Sequence, residues 1–167
     1  HIYWPEIEQP TPENVLAEFD IYRNMGCRLF VVDPYTDLEN MSNGMPAHDY
    51  LNHVLTMFRN WARQHKVMMV IIAHPTKLDR SANKNPRVSL FDLSGGAMWS
   101  NKADAFISVW RNYAPDREIG DTMGRNVIFI GKVRQSRLYG KVSGAEGVEF
   151  YFDPKTGSFW PTGQLKE

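Results

Sequence analysis

Arg28-Leu-Phe-Val-Val-Asp33 and Val67-Met-Met-Val-Ile-Ile-Ala-His74 bound one stretch, residues 28–74, whose reading decides the fold. Each end is a short apolar run closed by a polar residue, the pattern of a strand buried in a parallel sheet. Between them, turn-rich Pro34 to Pro46 gives way to Leu51, Val54, Leu55, Phe58 and Ala62. These fall on one helical face at i, i+3, i+4, i+7 and i+11, so a helix is expected to end near His65. Strand, helix and strand within about 47 residues have the size of a right-handed crossover onto a parallel sheet.

Upstream, Thr11-Pro12-Glu13 reads as an N-cap, a first-turn proline and an acid, predicting a helix to about Met25 that Gly26 ends. Downstream, Leu78 to Val88 is polar, holds Pro86 and has no helix or strand period, so a mobile loop is expected. Ser94-Gly95-Gly96 opens a short helix ending near Ala103, and Ala105 to Trp110 is a third strand. Val127 to Val133 and Val148 to Phe152 predict an edge hairpin, with Asp153 to Gly157 as a closing turn. The expected class is α/β, with a mostly parallel sheet. Residues 1–167 are expected to form a single domain, 1–26 being an N-terminal segment and helix and 27–167 the remainder.

Composition narrows the function. At 167 residues, 43% hydrophobic and 23% charged, the chain is long enough for a core and too apolar for disorder. Its longest apolar run, Val67 to Ala73, falls far short of the ~20 residues a bilayer span needs, so no membrane partner is expected. The chain opens on His1 rather than Met, and a piece of a longer protein is expected. Cys27 is the single cysteine, which excludes an internal disulfide or a cysteine zinc cluster and makes a reducing cytoplasm the expected location.

Charge totals are neutral but uneven: residues 1–40 carry a net −6 and the rest a net +6. Lys77, Arg80, Lys84 and Arg87 form one basic cluster, and Arg125, Lys132, Arg134, Arg137 and Lys141 another. Such clusters are either solvated loops or local contacts for an anion or nucleic acid, since counterion release needs clustered bases.

In a parallel sheet, ligands gather outside the carboxyl ends of the strands. Both runs of the opening stretch end there in something polar, Asp33 and His74. An apolar strand ending in Asp is the physical core of the Walker B pattern, where a carboxylate on a rigid tip holds Mg²⁺ and its waters beside a nucleotide phosphate. Alone, each residue also reads as a turn or cap; on strands one crossover apart, the two are more informative. The other histidines add nothing, because His48 and His53 lie five apart, the wrong spacing for one helical face. Met57, Phe58 and Trp61 read as core or an interface edge. No G-x-S-x-G elbow occurs.

With those residues in place, the chain from about Arg28 to Pro161 resembles the C-terminal part of the RecA-like motor domain of ring-forming replicative DNA helicases. The Twinkle and phage primase-helicase branch is nearer and the DnaB type more distant. Leu29 to Asp33 matches Walker B, and Val70 to Lys77 matches a motif whose His senses the γ-phosphate. Asp92-Leu-Ser-Gly95-Gly96-Ala97, leading into Ala103-Asp104-Ala105, matches the helix and strand after the DNA-binding loop. Gly131-Lys132-Val133-Arg134 matches a strand-borne Lys-x-Arg that reaches the next subunit's ATP site.

The resemblance implies a three-layer RecA-like fold and NTP-driven translocation along single-stranded DNA by a hexameric ring. It implies ATP or another NTP with Mg²⁺ as cofactors, and a primase or primase domain as a partner. Asp33 would hold Mg²⁺ through water, His74 would sense the nucleotide, and Lys132 and Arg134 would act in trans. Lys77, Arg80, Asn83, Lys84, Arg87 and Gly95 would meet DNA. A bacterial or phage-type cytoplasm is the context implied.

The departures matter as well. The phosphate-cradling G-x-x-x-x-G-K-[ST] loop does not occur, and no upstream glutamate can be assigned as the water-activating base. Pro34 follows the Walker B Asp, Asn101 stands where many relatives have Gln, and the turn through Arg137 to Lys141 is longer than the family's. The chain is thus expected to be a partial domain, inactive by itself. Two other readings stay open: a RecA-like recombination or regulatory ATPase, and a non-catalytic assembly module.

Overall fold

The computed structural model describes residues 2–39, 41–76, 87–111, 124–153 and 155–161. The chain divides into two compact units, residues 1–74 with 93–102, and residues 75–92 with 103–167.

The first unit holds α1 (Pro12–Asn24), β1 (Leu29–Val32), α2 (Ala47–His65), β2 (Met68–Ile71) and α3 (Gly96–Lys102). Helix α1 starts where the sequence predicts: the Asn14 N–H donates to Thr11 Oγ1 at 3.2 Å, and Pro12 occupies a first-turn position that needs no donor. Gly26, at φ +101°, follows the helix end. Helix α2 stops at Lys66, in the left-handed conformation at φ 53°. Strands β1 and β2 pair in parallel, Leu29 with Met68 through Val32 with Ile71.

The core of this unit lies on one face of the pair. Phe30 and Val32 of β1 meet Val15 and Phe19 of α1 and Val54, Phe58 and Trp61 of α2. Phe30 sits edge-on to Trp61 at 5.0 Å and tilted against Phe19 at 4.9 Å. Val54 and Phe58 are fully buried. The sequence reading expected strands buried on both faces; the structure corrects this. Leu29, Val31 and Met68 on the opposite face are 56, 46 and 64% exposed, because both packed helices sit against the side that carries Phe30 and Val32.

The second unit is an antiparallel sheet of β3 (Ala105–Arg111), β4 (Gly124–Val133), β5 (Val148–Asp153) and β6 (Ser158–Pro161), in that order, with a short helix α4 (Ser136–Tyr139). The α/β class holds, as does the antiparallel β4–β5 pairing foreseen as a hairpin. The balance of the ladders differs from expectation: among the described residues only β1–β2 is parallel, and three ladders are antiparallel. Antiparallel neighbours can follow one another through a turn, whereas parallel ones need a crossover. The turn at 153–157 works as foreseen but leads into β6. Asp153 accepts from the Lys155 N–H and the Thr156 hydroxyl, both at 2.9 Å. Helix α4 accounts for the long turn after Arg134.

Two glycines are required by close packing in this sheet. At Gly131, where the β3–β4 register shifts, a Cβ would lie 2.9 Å from the Phe106 ring. At Gly147, φ +68°, it would lie 2.7 Å from Phe129 and Val127. Those last two side chains are the buried centre of the unit.

Candidate functional site

The first unit brings Asp33 and His74 to the carboxyl ends of two hydrogen-bonded parallel strands. The Ile72 N–H donates to the Val32 carbonyl at 2.9 Å, and the Tyr35 N–H donates to the Ile72 carbonyl at 2.7 Å. Main chain on both sides of Asp33 is therefore tied to the continuation of β2. Both side chains are exposed at the sheet's edge, as ligand contact requires.

Beneath this edge lies a cavity of about 290 Å³, lined by Tyr35, Tyr50, Leu51, His74, Ser94 and Trp99 among others. Tyr35 meets Trp99 edge to face at 5.2 Å, and the Trp99 indole N–H donates to the Ser94 carbonyl at 3.0 Å. Burial, and then the neighbouring Tyr50, push the Tyr35 hydroxyl up to about 12, so it stays a neutral donor across the physiological range. Gly95 stands at φ +74°, and a Cβ there would run into Leu51 Cδ2. Packing onto α2 is a sufficient reason for this glycine, whatever it does toward DNA. The sequence reading passed over Tyr35 and Trp99. Tyr35 could have been noticed two residues beyond the strand tip; nothing in the local pattern marks Trp99.

The second unit carries Lys132 and Arg134. Lys132 lies on β4 opposite Phe106 of β3. Arg134 lies one residue past the end of β4 and is not part of its ladder. Instead, the Arg134 N–H donates to the Asp104 carbonyl at 2.7 Å, and its guanidinium Nε stands 2.9 Å from Asp104 Oδ1. Nη2 also reaches the Ala103 carbonyl at 3.4 Å.

Of the residues expected to meet DNA, Lys77, Arg80, Asn83 and Lys84 lie outside the described residues. Arg87 is described, with its guanidinium carbon 4.0 Å above the centre of the Phe129 ring, a cation–π stack. The main chain bordering this segment is pinned. Thr76 donates to the Asp92 carbonyl through its N–H at 2.9 Å and its hydroxyl at 2.8 Å. The Asp92 carboxylate accepts from the Ser89 N–H at 2.6 Å and the Ser89 hydroxyl at 2.8 Å. Those two bonds, the N–H first, hold the Asp92 carboxyl below its ordinary value.

Among the described residues, no three His, Cys, Asp or Glu side chains gather into a group that could hold a metal. A lone exposed carboxylate such as Asp33 fits the mode of Mg²⁺ that keeps several waters and takes other ligands from phosphate. It does not fit a structural zinc site, which needs four protein ligands.

No family model matches the chain. The Twinkle homolog protein, chloroplastic/mitochondrial, of Arabidopsis thaliana is 32% identical over 136 residues, which are 80% of this chain and 18% of that protein. The chain thus spans less than a fifth of the curated relative it matches. Among solved structures, an ATPase domain superposes with a TM-score of 0.68 at 17% identity, covering 89% of this chain and 50% of that one. A DnaB-like replicative helicase, described with its interactions with primase, superposes with a TM-score of 0.67 at 16% identity, covering 89% and 34%. The structural likenesses speak for the fold alone, and the sequence likeness is to one stretch of the Twinkle homolog. The chain shares the fold of these two structures, and over 136 of its residues it is similar to the Twinkle homolog.

Proposed function

We propose that this chain is the later part of an ATP-dependent DNA helicase motor that translocates on single-stranded DNA as a hexameric ring during replication. The observation that carries the reading is the placement of Asp33 and His74 at the adjoining carboxyl ends of β1 and β2. That edge is where a RecA-like sheet presents groups to a nucleotide. Mg²⁺, when bound, would neutralise charge on the phosphates; Asp33 would hold it through water. His74, next to the start of the basic segment, would report the γ-phosphate to residues 77–88, which would track DNA phosphates without reading bases. Lys132 and Arg134 would serve the neighbouring subunit's site, supplying positive charge where the transferring phosphoryl group develops negative charge.

The G-x-x-x-x-G-K-[ST] loop would come from sequence outside these 167 residues, so the chain alone would not turn over ATP. Magnesium-dependent ATPase activity in the isolated chain would overturn that point. A reducing compartment suits the single, half-buried Cys27. No described helix is long and apolar enough to cross a membrane. A primase is proposed as a partner by analogy with the DnaB-like helicase above.

The test is complementation in the full-length protein. Arg134→Ala should leave ring assembly and nucleotide binding intact while lowering turnover by about 10³-fold, the scale of an arginine finger's contribution. Mixed with Asp33→Asn, it should regain part of the activity, because some interfaces then carry both intact halves. Absence of any recovery in verified mixed rings would refute the trans role. A recombination or regulatory ATPase of the same fold would hydrolyse ATP without unwinding, so a strand-displacement assay on the same preparation separates the two.

A further inference from the structure

The grip on Arg134 comes from within its own chain. Strand β4 ends at Val133, paired with Ala105, and Asp104 immediately precedes Ala105. Asp104 takes hold of Arg134 at two points, main chain to main chain at 2.7 Å and carboxylate to Nε at 2.9 Å. The Ala103 carbonyl adds a third contact, to Nη2 at 3.4 Å. The ion pair is half open to solvent, with side-chain exposures of 37% for Arg134 and 55% for Asp104. A pair that exposed contributes little to stability.

Its value must therefore be sought in geometry. A guanidinium on a long stem at a turn samples many rotamers, and a group that must meet a phosphoryl oxygen in one orientation gains by being oriented beforehand. Asp104 approaches the guanidinium side-on, through Nε. A side-on grip is the one compatible with a phosphate taking the end-on edge of the fork, since the two edges point in different directions.

We propose that Asp104 is a positioning residue for Arg134: it fixes the guanidinium's stem and orientation so that Arg134 meets the neighbouring subunit's nucleotide already aligned. This rests on the trans role of Arg134 argued above. Asp104 touches no reacting atom; it acts through Arg134. The carboxylate also tempers the local charge, so its removal alters orientation and net charge in opposite senses for catalysis. Loss of turnover on removing a negative charge would identify orientation as the part that matters.

The experiment compares Asp104→Asn, Asp104→Glu and Arg134→Ala in the full-length protein. Asp104→Asn should lower kcat about tenfold, within the range a misplacement of an ångström produces, while KM for ATP changes less than about twofold because ground-state binding is untouched. Asp104→Glu, which keeps the carboxylate, should recover most of the kcat. In the 167-residue chain, the Arg134 Nε–H proton should show slowed exchange with solvent that Asp104→Asn removes. A normal kcat in Asp104→Asn beside an inactive Arg134→Ala overturns the positioning role alone. Normal turnover in Arg134→Ala overturns the trans role and takes the positioning role with it. Unslowed exchange at Nε in the wild-type chain, or exchange unchanged by Asp104→Asn, shows that the grip does not exist in solution and overturns the proposal directly.

Discussion

The tips of β1 and β2 and the far end of β4 both present polar side chains at a strand's edge, yet they are held by different means. Asp33 is placed by main chain, since the β1–β2 ladder runs to Val32 and Ile71 and the Tyr35 N–H continues the tie beyond it; His74 follows three residues past the end of β2. Arg134 lies just past its ladder, and its side chain is held there by the carboxylate of Asp104, thirty residues earlier in the chain, beside a main-chain bond to the same residue. A site of the first kind depends on the packing beneath its strands and is indifferent to most single side chains around it. A site of the second kind can be undone by one surface substitution that leaves stability unchanged.

The largest effect should come from attacking the packing beneath the first site. Phe58 is fully buried in the cluster that holds Phe30 and Val32, so Phe58→Ala should cost about 3–5 kcal/mol, the range for removing a buried aromatic ring. Denaturant unfolding of the chain measures it. A loss under about 1 kcal/mol would show that the tips do not depend on this core. Asp104→Asn should leave the same unfolding curve within about 0.5 kcal/mol, as expected for a surface substitution, and the contrast between the two variants is what defines the comparison.

A middling effect is expected at Gly95, where α3 approaches α2. Gly95→Ala combines a positive φ with a collision at Leu51 and should destabilise by about 1–3 kcal/mol. The Trp99–Tyr35 contact should loosen with it, visible as a reduced near-ultraviolet circular dichroism signal. Adding Leu51→Ala removes the collision but keeps the backbone strain, so it should not restore stability. Wild-type stability in the single variant would mean that α3 can reseat without disturbing the cavity.

The smallest effect concerns the stem beside the basic segment, whose Asp92 carboxyl is held below its usual 3.8 by the Ser89 N–H first and the Ser89 hydroxyl second. A depressed native value means that the contribution is present above the unfolded value and is lost as pH falls through the native one. The Ser89 amide resonance should therefore titrate below pH 3.8, and Asp92→Asn should abolish the step. The Ser89–Asp92 bonds lie at the surface, so global stability should barely move. A titration at or above the ordinary carboxylate value would show that the Ser89–Asp92 turn is not formed in solution.

Much of the first unit was legible because its signals are local. The cap at Thr11, the stop at Gly26, the spacing of Leu51, Val54, Leu55 and Phe58, and the two apolar runs are read from neighbours within a few turns of chain. Asp33 and His74 were read as a strand-tip pair because a polar residue ending an apolar strand is itself a local pattern. The residues 77–86, and with them Lys77, Arg80, Asn83 and Lys84, rest on the sequence alone.

Other features followed from no local pattern. An apolar run looks the same whether one face or both are covered; the placement of α1 and α2 on the Phe30 side left Leu29 and Val31 open. Strand β3 has the same composition whichever way its partner runs, and its antiparallel pairing with β4 sets the register shift at Gly131 and ends the ladder before Arg134. The same register brings Asp104, immediately before β3, opposite Arg134. Periodicity and end signals report which faces are apolar and where elements stop, so the sequence by itself determined the elements and the strand-tip pair. Which side chains meet across the fold is settled by pairing register and packing, so only the tertiary structure decided that Arg134 has a carboxylate to hold it.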